Sequence, residues 1–142
     1  CEEVGCIGLD SYLKRYAPPR YKSYFIDLEM VGTGNICYVT KHGVSKFGEY
    51  RPSEELLRIA AKAAIRHPGL NVGGRDMLIV EEVSPLVAQG YNALCIAGYN
   101  QEGYLPNWHR LSDTLEHIEP GTLGRAARYT WAVMQEIDHL RD

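Results

Sequence analysis

Apolar and polar residues follow two periods along the chain, and these periods predict alternating strands and helices. Short apolar runs rich in β-branched or aromatic residues predict buried strands, whereas longer segments with apolar residues every three or four positions predict helices. In chain order, the predicted elements are a helix at 9–16, strands at 24–32 and 36–40, a helix at 53–67, a short strand at 77–80, a short helix at 85–89, a strand at 93–97 and a helix at 122–140. This alternation predicts an α/β fold with a largely parallel sheet that helices cover on both faces.

The helix predicted at 53–67 has the clearest ends. Ser53 is a suitable N-cap, and Glu54 and Glu55 follow it in the first turn, where a carboxylate complements the helix dipole. Pro68 cannot continue the helix and is expected to stop it.

The strand predicted at 24–32 carries two carboxylates, Asp27 and Glu29, among apolar and aromatic neighbours. Because side chains alternate along a strand, both carboxylates point to the same face of the sheet. Two like charges on a buried face are costly unless a cation or a hydrogen-bond network receives at least one of them. The ordinary alternative is a solvated carboxylate at the wet end of a strand. Glu29 is the better functional candidate, because sites in open α/β sheets lie beyond the carboxyl ends of strands.

Length and charge restrict the class of protein. The chain has 142 residues, 45% of them hydrophobic, which suits one domain with a single core. It has 15 basic and 18 acidic residues and no basic stripe, so we expect no nucleic-acid partner. No apolar run is long enough to span a bilayer, so we expect no membrane partner. The chain begins at Cys1 without a signal-like leader, and we interpret it as a fragment whose compartment is unknown.

The four cysteines, Cys1, Cys6, Cys37 and Cys95, do not have the spacing of a zinc ribbon. Cys37 and Cys95 lie inside apolar predicted strands. That position is typical of small core residues, and we expect both thiols to be reduced.

Three groups of metal-binding side chains lie at strand ends or in loops: the pair Glu2 and Glu3, then Glu29, then His109. Carboxylate oxygens with one imidazole suit a hydrolytic zinc site. A co-catalytic pair of zinc ions roughly 3.5–4 Å apart also needs a free carboxylate to take a proton from the bridging water. Each group alone has an ordinary explanation, since adjacent surface glutamates and exposed loop histidines are common.

Four segments in a fixed order carry a family resemblance. They are the Glu-Glu pair and its glycines at 1–8, the strand end Glu-Met-Val-Gly at 29–32, the Gly-x-x-Ala-Leu strand at 90–94 and the His-x-x-x-Asp-Thr loop at 109–114. This set resembles the zinc-dependent aminopeptidase family of bacterial leucyl-aminopeptidase type, which are co-catalytic di-zinc exopeptidases. The resemblance implies a three-layer α/β/α fold with a mostly parallel, mixed sheet. It also implies that residues 1–142 are the C-terminal part of a single zinc-exopeptidase-like domain, here lacking its N-terminal part.

The resemblance implies a role for each matching residue. Glu2 would be the general base, and Glu3 would bind one zinc ion together with His109. Glu29 would be the ligand of the other zinc ion. Asp113 would lie behind the site and support the histidine loop without binding metal.

The sequence departs from the family pattern at several positions. The strand ligand is usually Asp, whereas Glu29 has a longer side chain. Trp108 stands where the family often has a Tyr that donates to the oxyanion, so its indole N–H is the candidate donor. A common Ser-Asp-His triplet is replaced by residues 81–83, Glu-Glu-Val. The remaining family ligands, a His and the Asp that bridges both ions, lie upstream of Glu2, so we expect this chain alone to bind zinc weakly or not at all.

The function that the resemblance implies is zinc-dependent removal of N-terminal residues from peptides. In the intact parent the cofactors would be two zinc ions and the partner a peptide substrate, whereas the fragment itself would be inactive. Loss of the upstream half would uncover apolar surface, so we expect self-association or pairing with the missing N-terminal part. Two alternatives remain open: a non-catalytic interaction or accessory domain of the same fold, and a glutaminyl-cyclase-like acyltransferase.

Overall fold

A four-stranded mixed sheet forms the centre of the protein. The computed structural model describes residues 5–43 and 49–140. Its elements in chain order are α1 (Ile7–Tyr16), β1 (Tyr24–Glu29), β2 (Asn35–Lys41), α2 (Glu54–Arg66), β3 (Gly73–Asp76), α3 (Val83–Ala88), β4 (Asn92–Tyr99) and α4 (Pro120–Asp138), with 3₁₀ turns at Arg20–Lys22, Pro68–Leu70 and Leu115–His117. The strand order is β1-β4-β2-β3; β1 runs parallel to β4, β3 runs parallel to β2, and β2 and β4 are antiparallel. The mostly parallel, mixed sheet predicted from the sequence is confirmed.

Helices cover both faces of this sheet. On one face, α2 and α4 enclose an apolar cluster that contains Leu94 of β4 and Tyr129 of α4. On the other face, Leu13 of α1 and Leu86 of α3 belong to a second cluster together with Ala93 of β4. The side chains of β4 therefore alternate between two cores, which confirms the predicted α/β/α layering. Within the ranges that the structure describes, no helix combines the length and apolar character needed to cross a bilayer.

Polar contacts fix α2 against α4. The hydroxyl of Tyr129 donates to the carbonyl oxygen of Ala60 over 2.8 Å. The carboxylate of Glu136 accepts from Lys62 at 2.6 Å and from Arg66 at 2.5 Å. Hydrogen bonds from these two cations, with the larger contribution from Lys62, hold the pKa of Glu136 below its usual range. The helical layer beneath the sheet is thus oriented by hydrogen bonds in addition to apolar packing.

The ends of α2 are those that the sequence predicts. The Ser53 side chain accepts a hydrogen bond from the backbone N–H of Leu56 over 3.2 Å, as an N-cap does. The helix ends at Arg66, and Pro68 begins a 3₁₀ turn. Both signals act within a few residues, so the sequence alone is sufficient to place them.

The prediction of a strand at 77–80 is wrong, because the edge strand of the sheet is β3 at Gly73–Asp76, immediately before this segment. Strand pairing with β2 stops at Asp76, although Met77 and Ile79 remain buried against the second core. The apolar alternation at 77–80 therefore reflects the burial of Met77 and Ile79, in a segment joined to the end of β2 by two backbone hydrogen bonds outside the regular strand, from Met77 to Lys41 and from Gly43 to Ile79. β3 begins with Gly73 and Gly74, and a side chain at Gly74 would meet the ring of Tyr38 at 2.8 Å. This close approach explains glycine in a strand that intrinsic propensity does not favour.

Cys37 and Cys95 are buried, with exposures of 2% and 0%, as the sequence predicts. Both are free thiols. They lie on the face of the sheet that α1 and α3 cover.

Candidate functional site

The carboxyl ends of β1 and β4 form one edge of the sheet. The two strands are parallel and neighbouring, with Glu29, the last residue of β1, opposite Ala97 of β4. Ala97 belongs to the second core, so Glu29 points to the face that α1 and α3 cover. Met30 follows with φ of 49°, a left-handed conformation that turns the chain away from the strand. Glu29 is therefore half-buried at the point where the chain leaves the sheet.

The long segment after β4 folds back across the end of β1. The backbone N–H of Glu119 donates to the carbonyl oxygen of Gly32 over 2.7 Å. The hydroxyl of Thr33 donates to the carboxylate of Glu119 over 3.1 Å. A cavity of about 90 Å³ separates Met30 and Gly32 from Asp113 and other residues of this segment. The segment that contains His109 is thus fastened to the turn that follows Glu29.

The conformation around His109 is unusual. Asn107 has φ of 57° and His109 has φ of 53°, both in the left-handed region that non-glycine residues seldom adopt. The indole of Trp108 stacks on the His109 imidazole, with ring centroids 4.2 Å apart and an interplanar angle of 28°. Ser112 donates from its hydroxyl to the side-chain oxygen of Asn107 over 2.9 Å, which closes the loop on itself. Strained backbone that neighbouring contacts hold in place is concentrated at functional sites.

The structure brings some of the sequence-predicted site residues together. Met30, which follows Glu29, lines the same cavity as Asn107 and Asp113, which flank His109. Trp108 is 44% exposed and lines a neighbouring cleft of about 350 Å³. Glu2 and Glu3 lie outside the described residues. The metal-binding and catalytic roles of all these residues stay predictions.

The donors at this end of the sheet fit a zinc centre. A carboxylate from a strand end and an imidazole from a loop are ligands that zinc accepts in hydrolytic sites. Glu29 is half-buried, whereas His109 is exposed to solvent. An open side is what a catalytic ion requires for water and substrate.

Gly98 of β4 has no side chain, and this lets the turn after Glu29 pack closely against β4. A side chain at this position would overlap the carbonyl oxygen of Met30 and approach that of Thr33 to 3.0 Å. We expect Gly98→Ala to lower the free energy of unfolding by about 1–3 kcal/mol, because backbone atoms must move to admit the methyl group. Urea unfolding measures the change. Gly73→Ala is the control, since a side chain there meets nothing within 4 Å. Equal losses for both variants would contradict the role of Gly98.

Sequence reasoning missed a second polar group, which lies deeper on the same face of the sheet. Asp27 of β1 lies opposite Cys95 of β4. Glu81, just before α3, is 1% exposed and lies in contact with His42, which follows β2 and is 0% exposed. Burial and the nearby negative charges of Glu81 and then Glu82 raise the pKa of Asp27 to about 6. The detectable signal was a carboxylate in the middle of an apolar strand; its partners come from distant segments.

Comparisons with known proteins agree with this architecture. The crystal structure of a glutaminyl cyclase from an Acidobacteriales bacterium superposes with a TM-score of 0.65 and 16% sequence identity. The match covers 93% of this chain and 44% of that one, so this chain spans less than half the length of the solved structure. At this identity the likeness shows the fold alone. A search of curated proteins found no match.

A family comparison extends over nearly the whole chain. The sequence pattern of peptidase family M28 matches residues 1–134. The matched range includes both strand ends and the histidine loop described above. The chain therefore belongs to peptidase family M28, a family of zinc-type hydrolases.

Proposed function

We propose that this chain is the C-terminal part of the catalytic domain of a zinc-dependent aminopeptidase. The observation that supports the proposal is the cavity shared by Met30, next to Glu29, and by Asn107 and Asp113, on either side of His109, in a member of peptidase family M28. The order of the Glu-Glu pair, the strand end and the histidine loop is that of the bacterial leucyl-aminopeptidase type.

The proposed site residues have two roles, metal binding and proton transfer. Glu3 and His109 would hold one zinc ion, and Glu29 would hold the other with ligands supplied from upstream. When bound, the ions supply Lewis-acid activation of water and of the scissile carbonyl. Glu2 would accept the proton of the attacking water and pass it to the leaving amine.

The histidine loop also contributes to substrate binding. Because its indole stacks on His109, Trp108 lies next to a metal ligand and is the candidate N–H donor to the developing oxyanion. The cleft of about 350 Å³ beside Trp108 is lined by Leu78 and Leu105 and also by the charged residues Asp76 and Arg110. We place the side chain of the substrate's N-terminal residue in this cleft, against the two leucines and near the Asp76 carboxylate, which disfavours an acidic residue there.

A glutaminyl cyclase activity is the second candidate, because the fold resembles a solved glutaminyl cyclase. The two reactions release different products. An aminopeptidase hydrolyses an aminoacyl anilide and frees the aniline, whereas a cyclase releases ammonia from a peptide with an N-terminal glutamine. Assays of one protein preparation with both substrates therefore distinguish the two activities.

The test uses the natural full-length protein loaded with zinc. We expect hydrolysis of leucyl anilide in preference to aspartyl anilide, loss of the activity on chelation, and recovery when zinc is returned. Ammonia release from glutaminyl peptides without anilide hydrolysis would replace the proposal by the cyclase. No turnover of either substrate at full zinc occupancy would leave the non-catalytic domain as the explanation.

A further inference from the structure

A group of potential metal ligands occupies the interior of the protein, below the Glu29 end of the sheet. One oxygen of Asp27, one oxygen of Glu81 and the sulfur of Cys95 all lie within 4.8 Å of one another. The three residues come from β1, from the segment before α3 and from β4. A single ion at their centre would therefore join three separate parts of the fold.

Each carboxylate in this group has an oxygen that lacks the hydrogen bond a buried polar atom normally has. Glu81 is 1% exposed; its Oε1 is in contact with Nδ1 of His42, and its Oε2 has no hydrogen-bond partner among the described residues. Oδ2 of Asp27 is also buried without one. Buried polar atoms are nearly always satisfied, and an exception calls for an explanation such as an ion. Asp27 does accept hydrogen bonds from Cys95 and from the backbone of Leu28. Each carboxylate nevertheless keeps one buried oxygen without a partner, which is costly and which a cation would satisfy.

We propose that Asp27, Glu81 and Cys95 form a zinc site separate from the Glu29 end of the sheet. Asp27 and Glu29 are two residues apart on one strand, so their Cα atoms are roughly 6.6 Å apart. Co-catalytic zinc ions are only about 3.5–4 Å apart. The ligand group contains neither Glu29 nor His109, so the ion we propose is a third one, with a structural role. The proposal does not depend on aminopeptidase activity.

The ligand set selects zinc over harder cations. Mg²⁺ and Ca²⁺ prefer oxygen ligands alone, whereas zinc accepts thiolate and carboxylate together. Zinc at about 2.0–2.2 Å from oxygen and 2.3 Å from sulfur places tetrahedral ligand atoms roughly 3.4–3.7 Å apart. The observed group, with all separations within 4.8 Å, needs a contraction of at most about 1.4 Å.

His42 completes the site as a positioning residue. Its Nδ1 is in ion-pair contact with Oε1 of Glu81, and both side chains are almost fully buried. A hydrogen-bonded partner behind a ligand fixes the ligand's orientation and strengthens metal binding. Zinc binding displaces the proton of the Cys95 thiol to solvent, so the bound ion faces one thiolate and two carboxylates.

Cobalt in place of zinc reports this site by its spectrum. A thiolate bound to Co²⁺ gives a charge-transfer absorption band in the near ultraviolet, and the proposed Glu29–His109 centre contains no thiolate. The test uses the natural full-length protein with Cys1→Ser and Cys6→Ser, loaded with cobalt. We expect the band in this background, its loss in Cys95→Ser, and one metal ion fewer per chain. Cys37→Ser is the matched control, since Cys37 is buried on the same face of the sheet at 2% exposure.

A second variant keeps the test decisive if Cys95→Ser does not fold. Glu81→Gln preserves volume and should lower the cobalt affinity by about 10-fold or more while the near-ultraviolet circular dichroism stays native. The band should also persist in His109→Ala, which separates this site from the one in the proposed function. Absence of the band at saturating cobalt, or a band that neither Cys95→Ser nor Glu81→Gln changes, would overturn the proposal.

Discussion

Replacing Glu2 by Gln should lower the turnover number for aminoacyl anilides by about 10²–10⁴-fold and leave the zinc content unchanged. The amide has the shape of the carboxylate but cannot accept the proton of the attacking water. The loss corresponds to roughly 2.7–5.5 kcal/mol of transition-state stabilisation. Because the substitution removes no ligand, metal analysis and kinetics on the same full-length preparation separate proton transfer from metal binding.

The control for this experiment is Glu102→Gln, which changes an exposed carboxylate in the segment after β4. It removes the same charge without touching the site, so its turnover number should match that of the parent protein. If Glu2→Gln retained full activity at full zinc occupancy, the role of general base assigned to Glu2 would be wrong. A parallel loss of zinc and activity would instead identify Glu2 as a ligand.

Replacing His109 by Ala should lower the zinc content itself, and activity should fall with it. His109 supplies the imidazole of one proposed ion, and a zinc site that loses one of three protein ligands binds weakly. We expect zinc affinity to fall by at least about 10–100-fold, the range typical of losing only a supporting residue. Equilibrium dialysis against zinc measures this change, and added zinc should restore part of the activity.

His117→Ala is the matched control, because this histidine lies in the same segment and is also exposed. Its Nδ1 is 3.0 Å from the Thr114 hydroxyl, so its ring is engaged locally. The control variant should keep its zinc. If zinc binding survived in His109→Ala and fell in His117→Ala, the two histidines would have to exchange roles.

Local sequence signals determined most of the element positions. The ends of α2 follow from Ser53 and Pro68, which act on the backbone within one turn. The apolar run of β4 was recognisable because both of its faces are buried. β3 was missed because it begins with two glycines, and the close approach of the Tyr38 ring to Gly74 is a contact that only the folded sheet creates.

The predicted site also depends partly on local sequence and partly on the folded sheet. The motif order gave Glu29 and His109 their proposed roles, whereas the shared cavity of the segments that contain them depends on the parallel pairing of β1 with β4. Long-range pairing of this kind is set by the global packing of the core. Residue spacing along the chain carries too little information to specify it.

The sequence by itself determined that Asp27 and Glu29 share a face of one strand, because side chains alternate along any strand. Only the tertiary structure decided what faces Asp27, namely Cys95 on the neighbouring strand and Glu81 from a later segment. The physical reason is that charge compensation in a buried site depends on distances between side chains remote in sequence. A linear pattern can show that a buried carboxylate needs a partner, and the fold selects which residues provide it.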